Sequence, residues 1–147
     1  MDYYDSAVTK TFLVSQKALI IEGQRFLLLM DAHRGKWELP GGLLEMDEDL
    51  VPGLKREVSE ETRLEIVVGQ PISICDAWVT GFKFRNGAVL DVRVIVVTHF
   101  CTIMSGSVEI SDEHTDYRWA EKADLDKLDL APDCSLALNA FLKQADI

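Results

Sequence analysis

The chain has 147 residues, of which 48% are hydrophobic and 27% are charged, and these proportions exclude disordered and fibrous classes of protein. This length predicts one hydrophobic core and a single domain over residues 1–147. The net charge of −10 opposes binding to a nucleic-acid polymer or to an anionic membrane surface. No apolar run reaches the ~20 residues of a membrane span, and the acidic first residues do not resemble a signal peptide. We therefore expect a cytoplasmic protein without a membrane partner.

Two β-hairpins are predicted in the first two thirds of the chain. Apolar residues alternate and then run together over 10–21, and a second apolar run follows at 25–30, a spacing that indicates a hairpin. Asn86-Gly87 is a strong two-residue turn signal, and it lies between apolar segments at 72–84 and 89–98. These two segments predict the second hairpin.

A helix is predicted over Asp49–Thr62, after the turn-rich segment 37–42. Asp49 is a suitable N-cap, and Pro52 falls in the first turn, where its missing N–H group costs nothing. Residues four apart lie on one face of a helix, so the apolar face is expected to carry Leu50, Leu54 and Val58.

The last third of the chain predicts three short elements. They are a strand at 117–120, a helix at 122–128 and a terminal helix at 135–145, with Pro132-Asp133 separating the two helices. Hairpins with interspersed helices indicate an α+β architecture built on a layered mixed sheet.

Three glutamates mark the predicted central helix as a candidate site. Glu57, Glu60 and Glu61 are spaced i, i+3 and i+4, which places their carboxylates on one face within one turn. Like charges at this spacing destabilise a helix, and Arg56 offers the local relief. Carboxylate clusters bind hard cations, and Mg²⁺ in particular shares its coordination between carboxylates and substrate phosphates. A solvated acidic helix face is the alternative interpretation.

The residues around these glutamates carry a family resemblance. Gly42 is followed by five residues, Glu48, seven residues, and then Arg56-Glu57-Val58-Ser59-Glu60-Glu61-Thr62-Arg63-Leu64. This segment resembles the Nudix box, Gly-x5-Glu-x7-Arg-Glu-U-x-Glu-Glu-x-Gly-U with U apolar, at eight of its nine specified positions. The exception is Arg63 in place of the last glycine, where the family normally has a left-handed residue after the helix. Either Arg63 adopts that conformation at a cost of about 1 kcal/mol, or the helix ends differently.

The resemblance implies an α/β/α sandwich whose loop–helix–loop holds divalent metal ions against a diphosphate. It implies Mg²⁺ as the cofactor, with Mn²⁺ as a substitute. Arg56 would orient the carboxylates, with Glu48 balancing its charge, and the general base would be Glu60, Glu61 or Glu113. The metal ligands implied by the resemblance are the Gly41 carbonyl, Glu57, Glu60 and Glu61.

The resemblance also implies a small nucleotide substrate cleaved at a pyrophosphate linkage. A (deoxy)nucleoside triphosphate giving monophosphate and pyrophosphate is the preferred substrate, and ADP-ribose, a nucleotide sugar or a nucleotide-sensing module without turnover are alternatives. Gly42 would let the backbone approach metal or phosphate, although a plain turn explains it too. Arg34 and Lys36 are candidate phosphate or ribose contacts, with ordinary surface charge as the alternative. Assembly as a homodimer is left open.

The histidines and cysteines carry no recognisable metal-binding spacing. Neither a disulfide framework nor a thiolate zinc site is indicated for Cys75, Cys101 and Cys134. Ordinary structural or surface roles are expected for His33, His99 and His114, with His114 the most open of the three.

Overall fold

The computed structural model describes residues 11–144. In this part of the chain, seven strands form one sheet. They are β1 (Phe12–Glu22), β2 (Arg25–Asp31), β3 (Trp37–Glu38), β4 (Gly41–Leu43), β5 (Glu65–Lys83), β6 (Val89–Ser105) and β7 (His114–Ala120). The helices are α1 (Leu50–Thr62), a 3₁₀ helix (Lys122–Lys127) and α2 (Pro132–Gln144).

The sheet is mixed, with strand β1 at its centre. The strand order is β3-β2-β1-β6-β5, while β4 pairs with β1 and β7 pairs with β2. Strands β1 and β6 run parallel, and the other pairs are antiparallel. The antiparallel β1–β4 pairing joins Lys17 to Gly41, and it brings the start of the glycine-containing loop against the middle of the sheet.

Alternation along the central strands divides the core into two layers. Ala18 and Ile20 of β1 pack in one cluster with Leu54 and Val58 of α1. Leu19 of β1 packs in the other cluster, which includes Cys134, Ala137 and Leu138 of α2. Successive residues of a strand point to opposite faces, so each helix covers one face of the sheet. The expected α/β/α arrangement is confirmed.

Both predicted hairpins are present. Strands β1 and β2 are joined at Glu22 and Arg25, and the predicted first residue of this hairpin, Lys10, lies outside the described residues. Strands β5 and β6 are much longer than predicted, because β5 begins at Glu65, directly after the box. The predicted terminal helix likewise ends at 145, one residue past the described range.

Several local predictions were wrong. Pro132 does not separate two helices but begins α2, where a proline is well tolerated because the first helical N–H group has no partner. The turn-rich segment 37–42 contains strand β3 and the start of β4. Leu50 was expected on the apolar face of α1, but it is 52% exposed. Its carbonyl, rather than its side chain, contacts the sheet, because it accepts a hydrogen bond from Gln16 Nε2 at 2.8 Å.

Among the described residues, no helix combines the length and apolarity needed to cross a membrane.

Candidate active site

The loop that precedes α1 is tied to the last turn of that helix. The Gly41 N–H group donates a hydrogen bond to Glu61 Oε2 at 2.9 Å. Gly41 has a φ of +144°, and a Cβ there would overlap the carbonyl oxygen of Gln16 on β1. Glycine is therefore required at this position by both conformation and space.

Gly42 makes room for a carboxylate. A Cβ at Gly42 would lie 2.7 Å from the carboxylate carbon of Glu57, which is closer than real Cβ atoms approach. The loop backbone and the acidic face of α1 can thus lie in direct contact. Gly42 was expected to permit a close approach to metal or phosphate, and here the group that approaches is the glutamate itself.

Arg56 holds three carboxylates around one guanidinium. Its Nε and one terminal nitrogen donate to the two oxygens of Glu48, both at 2.8 Å. It also donates to Glu57 and to Glu60, each at 3.1 Å. Hydrogen bonds from Arg56, followed by one from the Glu45 N–H group, lower the pKa of Glu48 to about 2. This arrangement matches the orienting role that the resemblance implies for Arg56, with Glu48 as its counter-charge.

Four glutamates line one cavity of about 660 Å³, together with Gly41 and Gly42. These glutamates are Glu45, Glu57, Glu61 and Glu113. Burial raises the pKa of Glu61 to about 7, although the Gly41 hydrogen bond and the charges of Lys17 and His114 act in the opposite direction. Burial also raises the pKa of Glu57, against the lowering effect of Arg56. A cation placed in this cavity would relieve the cost of keeping the carboxylates ionised.

His114 joins this cluster from strand β7. One ligand atom from each of Glu61, Glu113 and His114 lies within 4.8 Å of the others, an arrangement that suits a metal ion. The His114 side chain is 2% exposed, and its Nε2 lies 2.8 Å from Glu38 Oε1. Burial lowers the pKa of His114, but the hydrogen bond to Glu38 and the charges of Glu61 and Glu38 outweigh it and raise the pKa overall.

The other predicted site residues lie outside the cavity lining. Glu60 is 60% exposed and points to Arg56. Arg34 donates to Asp31 at 3.0 Å and to Glu38 at 2.7 Å, so its charge is compensated. Lys36 pairs with Asp129 at 3.3 Å and is not brought to the acidic cluster.

The tip of the β5–β6 hairpin completes the cavity, and its residues Arg85 and Asn86 were not predicted as part of the site. Phe84, Arg85 and Asn86 line it opposite the loop that follows Gly42. Arg85 is exposed, and it has no hydrogen bond or ion pair among residues 11–144. The Asn86-Gly87 signal predicted the turn, but nothing local to it indicated that the turn reaches residues more than twenty positions away.

Comparisons with known proteins identify the family of the chain and support its fold. A family model described as the NUDIX domain matches residues 12–138. The chain is 37% identical over 102 residues to a MutT-like protein of Streptomyces ambofaciens, a match that covers 69% of this chain and 58% of that protein. It is 31% identical over 116 residues to nucleoside triphosphatase NudI of Klebsiella pneumoniae, covering 74% of this chain and 81% of that protein. The crystal structure of the MutT protein from Methanosarcina mazei superimposes with a TM-score of 0.72 and 27% identity, over 93% of this chain and 98% of that one.

Proposed function

Because the chain belongs to the Nudix hydrolase family, we propose that it hydrolyses a (deoxy)nucleoside triphosphate to the monophosphate and pyrophosphate in a Mg²⁺-dependent reaction, with Mn²⁺ as a substitute. The observation that carries this proposal is the cavity lined by Glu57, Glu61 and Glu113 and also by Arg85, which has no ion-pair partner within residues 11–144. Carboxylates for a metal ion and a cation for phosphate are the two requirements of such a substrate.

The carboxylates of the cavity fit a divalent cation. Burial raises the pKa of two of them, Glu57 and Glu61. This is expected for acids whose counter-ion arrives with the substrate. We assign the ligands to these two residues and Glu113, with the Gly41 carbonyl and Glu60 added by family resemblance. A bound divalent cation neutralises phosphate charge and lowers the pKa of a coordinated water.

The protein groups position this chemistry. Arg56 fixes the orientation of Glu57 through its hydrogen bond at 3.1 Å, and the Gly41 N–H group fixes Glu61. Arg85 would contact the phosphates farthest from the nucleoside, because it is the cation in the cavity lining and the chain is otherwise strongly acidic. A carboxylate would accept the proton of the attacking water, and the candidates remain Glu60, Glu61 and Glu113.

The substrate class is supported by the relatives. The Klebsiella protein is described as a nucleoside triphosphatase, and the Streptomyces and Methanosarcina proteins are described as MutT-like and MutT.

The test is a substrate screen with Mg²⁺ and the full chain. Nucleoside and deoxynucleoside triphosphates, ADP-ribose and nucleotide sugars are incubated separately. Phosphate is measured after inorganic pyrophosphatase is added to the triphosphates, or after alkaline phosphatase is added to ADP-ribose and the nucleotide sugars. We expect pyrophosphate from a triphosphate, and a rate at least about 100-fold lower from the Glu61→Gln variant. Turnover of ADP-ribose or a nucleotide sugar alone would contradict the proposed substrate class. Nucleotide binding without any product would indicate a sensing module.

The proton acceptor can be identified in the same assay. Glu60→Gln, Glu61→Gln and Glu113→Gln are compared over a range of pH with the preferred substrate. The variant that lacks the proton acceptor loses the dependence of kcat on the ionisation of a carboxylate. The variant that lacks a metal ligand instead needs a higher Mg²⁺ concentration for half-maximal activity.

A further inference from the structure

The two ring nitrogens of His114 have different surroundings. Nε2 lies 2.8 Å from Glu38 Oε1. Nδ1 is buried and has no hydrogen-bond partner among the described residues. With the side chain 2% exposed, bulk water does not compensate for this missing partner. A buried ring nitrogen without a partner is unfavourable, so this one calls for a ligand.

Glu38 determines which nitrogen is available. Glu38 Oε1 lies 2.8 Å from His114 Nε2, and a carboxylate accepts hydrogen bonds, so the proton of this contact is on Nε2. When the imidazole binds a metal ion, its lone pair is therefore on Nδ1. A carboxylate that fixes a histidine in this way is the common outer partner of a metal-binding imidazole.

The acidic cluster lies close to the His114 ring. A ring nitrogen of His114 is within 4.8 Å of carboxylate oxygens of Glu61 and Glu113. These residues come from α1, from the segment before β7 and from β7 itself. Two carboxylate oxygens and one imidazole nitrogen form a donor set with room for further ligands such as water or phosphate.

We propose that Glu61, Glu113 and His114 Nδ1 form a mixed nitrogen–oxygen site that binds Mn²⁺, Co²⁺ or Zn²⁺ in preference to Mg²⁺, with Glu38 as the positioning residue. Imidazole favours first-row transition metals, whereas Mg²⁺ favours oxygen donors. This deepens the proposed function by naming the metal class, and it rests on that function for the role of the site. Metal binding itself requires no nucleotide.

The test uses the full chain, freed of metal with a chelator and titrated with Mn²⁺. Free Mn²⁺ is followed by electron paramagnetic resonance, and Mg²⁺ is added as a competitor. We expect Mn²⁺ to bind at least about tenfold more tightly than Mg²⁺. Pulsed measurements on bound Mn²⁺ should show hyperfine coupling to an imidazole nitrogen. Bound Mn²⁺ without nitrogen coupling would overturn the proposal, because His114 would then be only an imidazolium paired with its acidic neighbours.

Three variants separate ligation from structure. His114→Gln should lose the nitrogen coupling and bind Mn²⁺ at least about tenfold more weakly, with the affinity for Mg²⁺ changed less than about threefold. Glu38→Gln should weaken Mn²⁺ binding about tenfold, as expected for an outer partner. His33→Gln removes an exposed imidazole outside the cavity and should bind Mn²⁺ like the wild type. Equal losses for Mn²⁺ and Mg²⁺ in His114→Gln would overturn the proposal.

Failure of the proposed function gives a different pattern. If the wild type shows nitrogen-coupled Mn²⁺ but hydrolyses no nucleotide, the metal site is supported and the proposed function is wrong. If it hydrolyses triphosphates with Mg²⁺ but shows no nitrogen coupling, the proposed function is supported and the mixed nitrogen–oxygen site is wrong. If His114→Gln does not fold by circular dichroism, the coupling in the wild type decides alone.

Discussion

Replacing Arg63 by glycine should stabilise the protein. Arg63 ends helix α1 with φ 63° and ψ 12°, and its N–H group donates to the Ser59 carbonyl. Among residues 11–144 it is the non-glycine residue with positive φ. A side chain in this conformation costs roughly 1–2 kcal/mol, while the extra freedom of glycine in the unfolded chain returns roughly 0.5–1 kcal/mol. We expect Arg63→Gly to raise the free energy of unfolding by up to about 1 kcal/mol.

Urea denaturation measures this gain. For a slope of about 2 kcal/mol/M, the midpoint would rise by up to about 0.5 M, and the melting temperature by about 2–4 °C. Arg63→Ala is the matched control, because it removes the exposed guanidinium but keeps the Cβ. It should stay within about 0.5 kcal/mol of the wild type. Destabilisation by Arg63→Gly together with an equal loss in Arg63→Ala would refute the reasoning, since the arginine side chain would then be stabilising the fold.

Four further predictions concern the cavity. Hydrolysis should stop in excess chelator and return with Mg²⁺ or Mn²⁺, and turnover undiminished by chelator would contradict the metal assignment. Glu61→Gln should lower kcat at least about 100-fold, whereas Glu109→Gln, an exposed acid outside the cavity, should keep wild-type rates. Arg85→Ala should raise KM for the triphosphate about tenfold with kcat nearly unchanged, and Lys83→Ala on the same hairpin should change neither constant. Without metal, the pKa of Glu61 is about 7 in the folded chain against an ordinary 4.5, so its contribution to stability is fully present below about pH 4.5 and is lost as the pH rises through 7. Thermal melts over this interval should show a loss of up to about 3 kcal/mol in the wild type and a smaller slope in Glu61→Gln.

The sequence predicted the elements whose information is local. The hairpin at Asn86-Gly87 and the helix after Asp49 each depend on a few neighbouring residues, and both are present. The end of this helix was left open between a left-handed Arg63 and a different termination, and Arg63 has the left-handed conformation. The short segments were harder, because strands such as β3 are defined by partners distant in sequence. Pro132 was misread as a boundary because a proline can begin a helix as well as prevent one.

The candidate site also combines contacts between residues close in sequence with contacts between residues far apart in sequence. The resemblance to the Nudix box implied the pairing of Arg56 with Glu48, and the structure contains their hydrogen bond. The contact between Glu38 and His114 joins residues 76 positions apart, and the approach of the hairpin tip to the carboxylates depends on the whole sheet. Neither contact has a signal in the spacing of the residues themselves. The ion pairs of Arg34 with Asp31 and Glu38 were not predicted either, because the sequence around an arginine does not show which acids will lie beside it in the fold.

The base of the long β5–β6 hairpin belongs to the sheet, whereas its tip belongs to the cavity. Its base is hydrogen-bonded along β1, while the tip at Phe84, Arg85 and Asn86 touches the cavity and is free of strand pairing beyond Lys83 and Val89. Insertions or substitutions at the tip can therefore alter what enters the cavity without disturbing α1, where the carboxylates and their arginine are held.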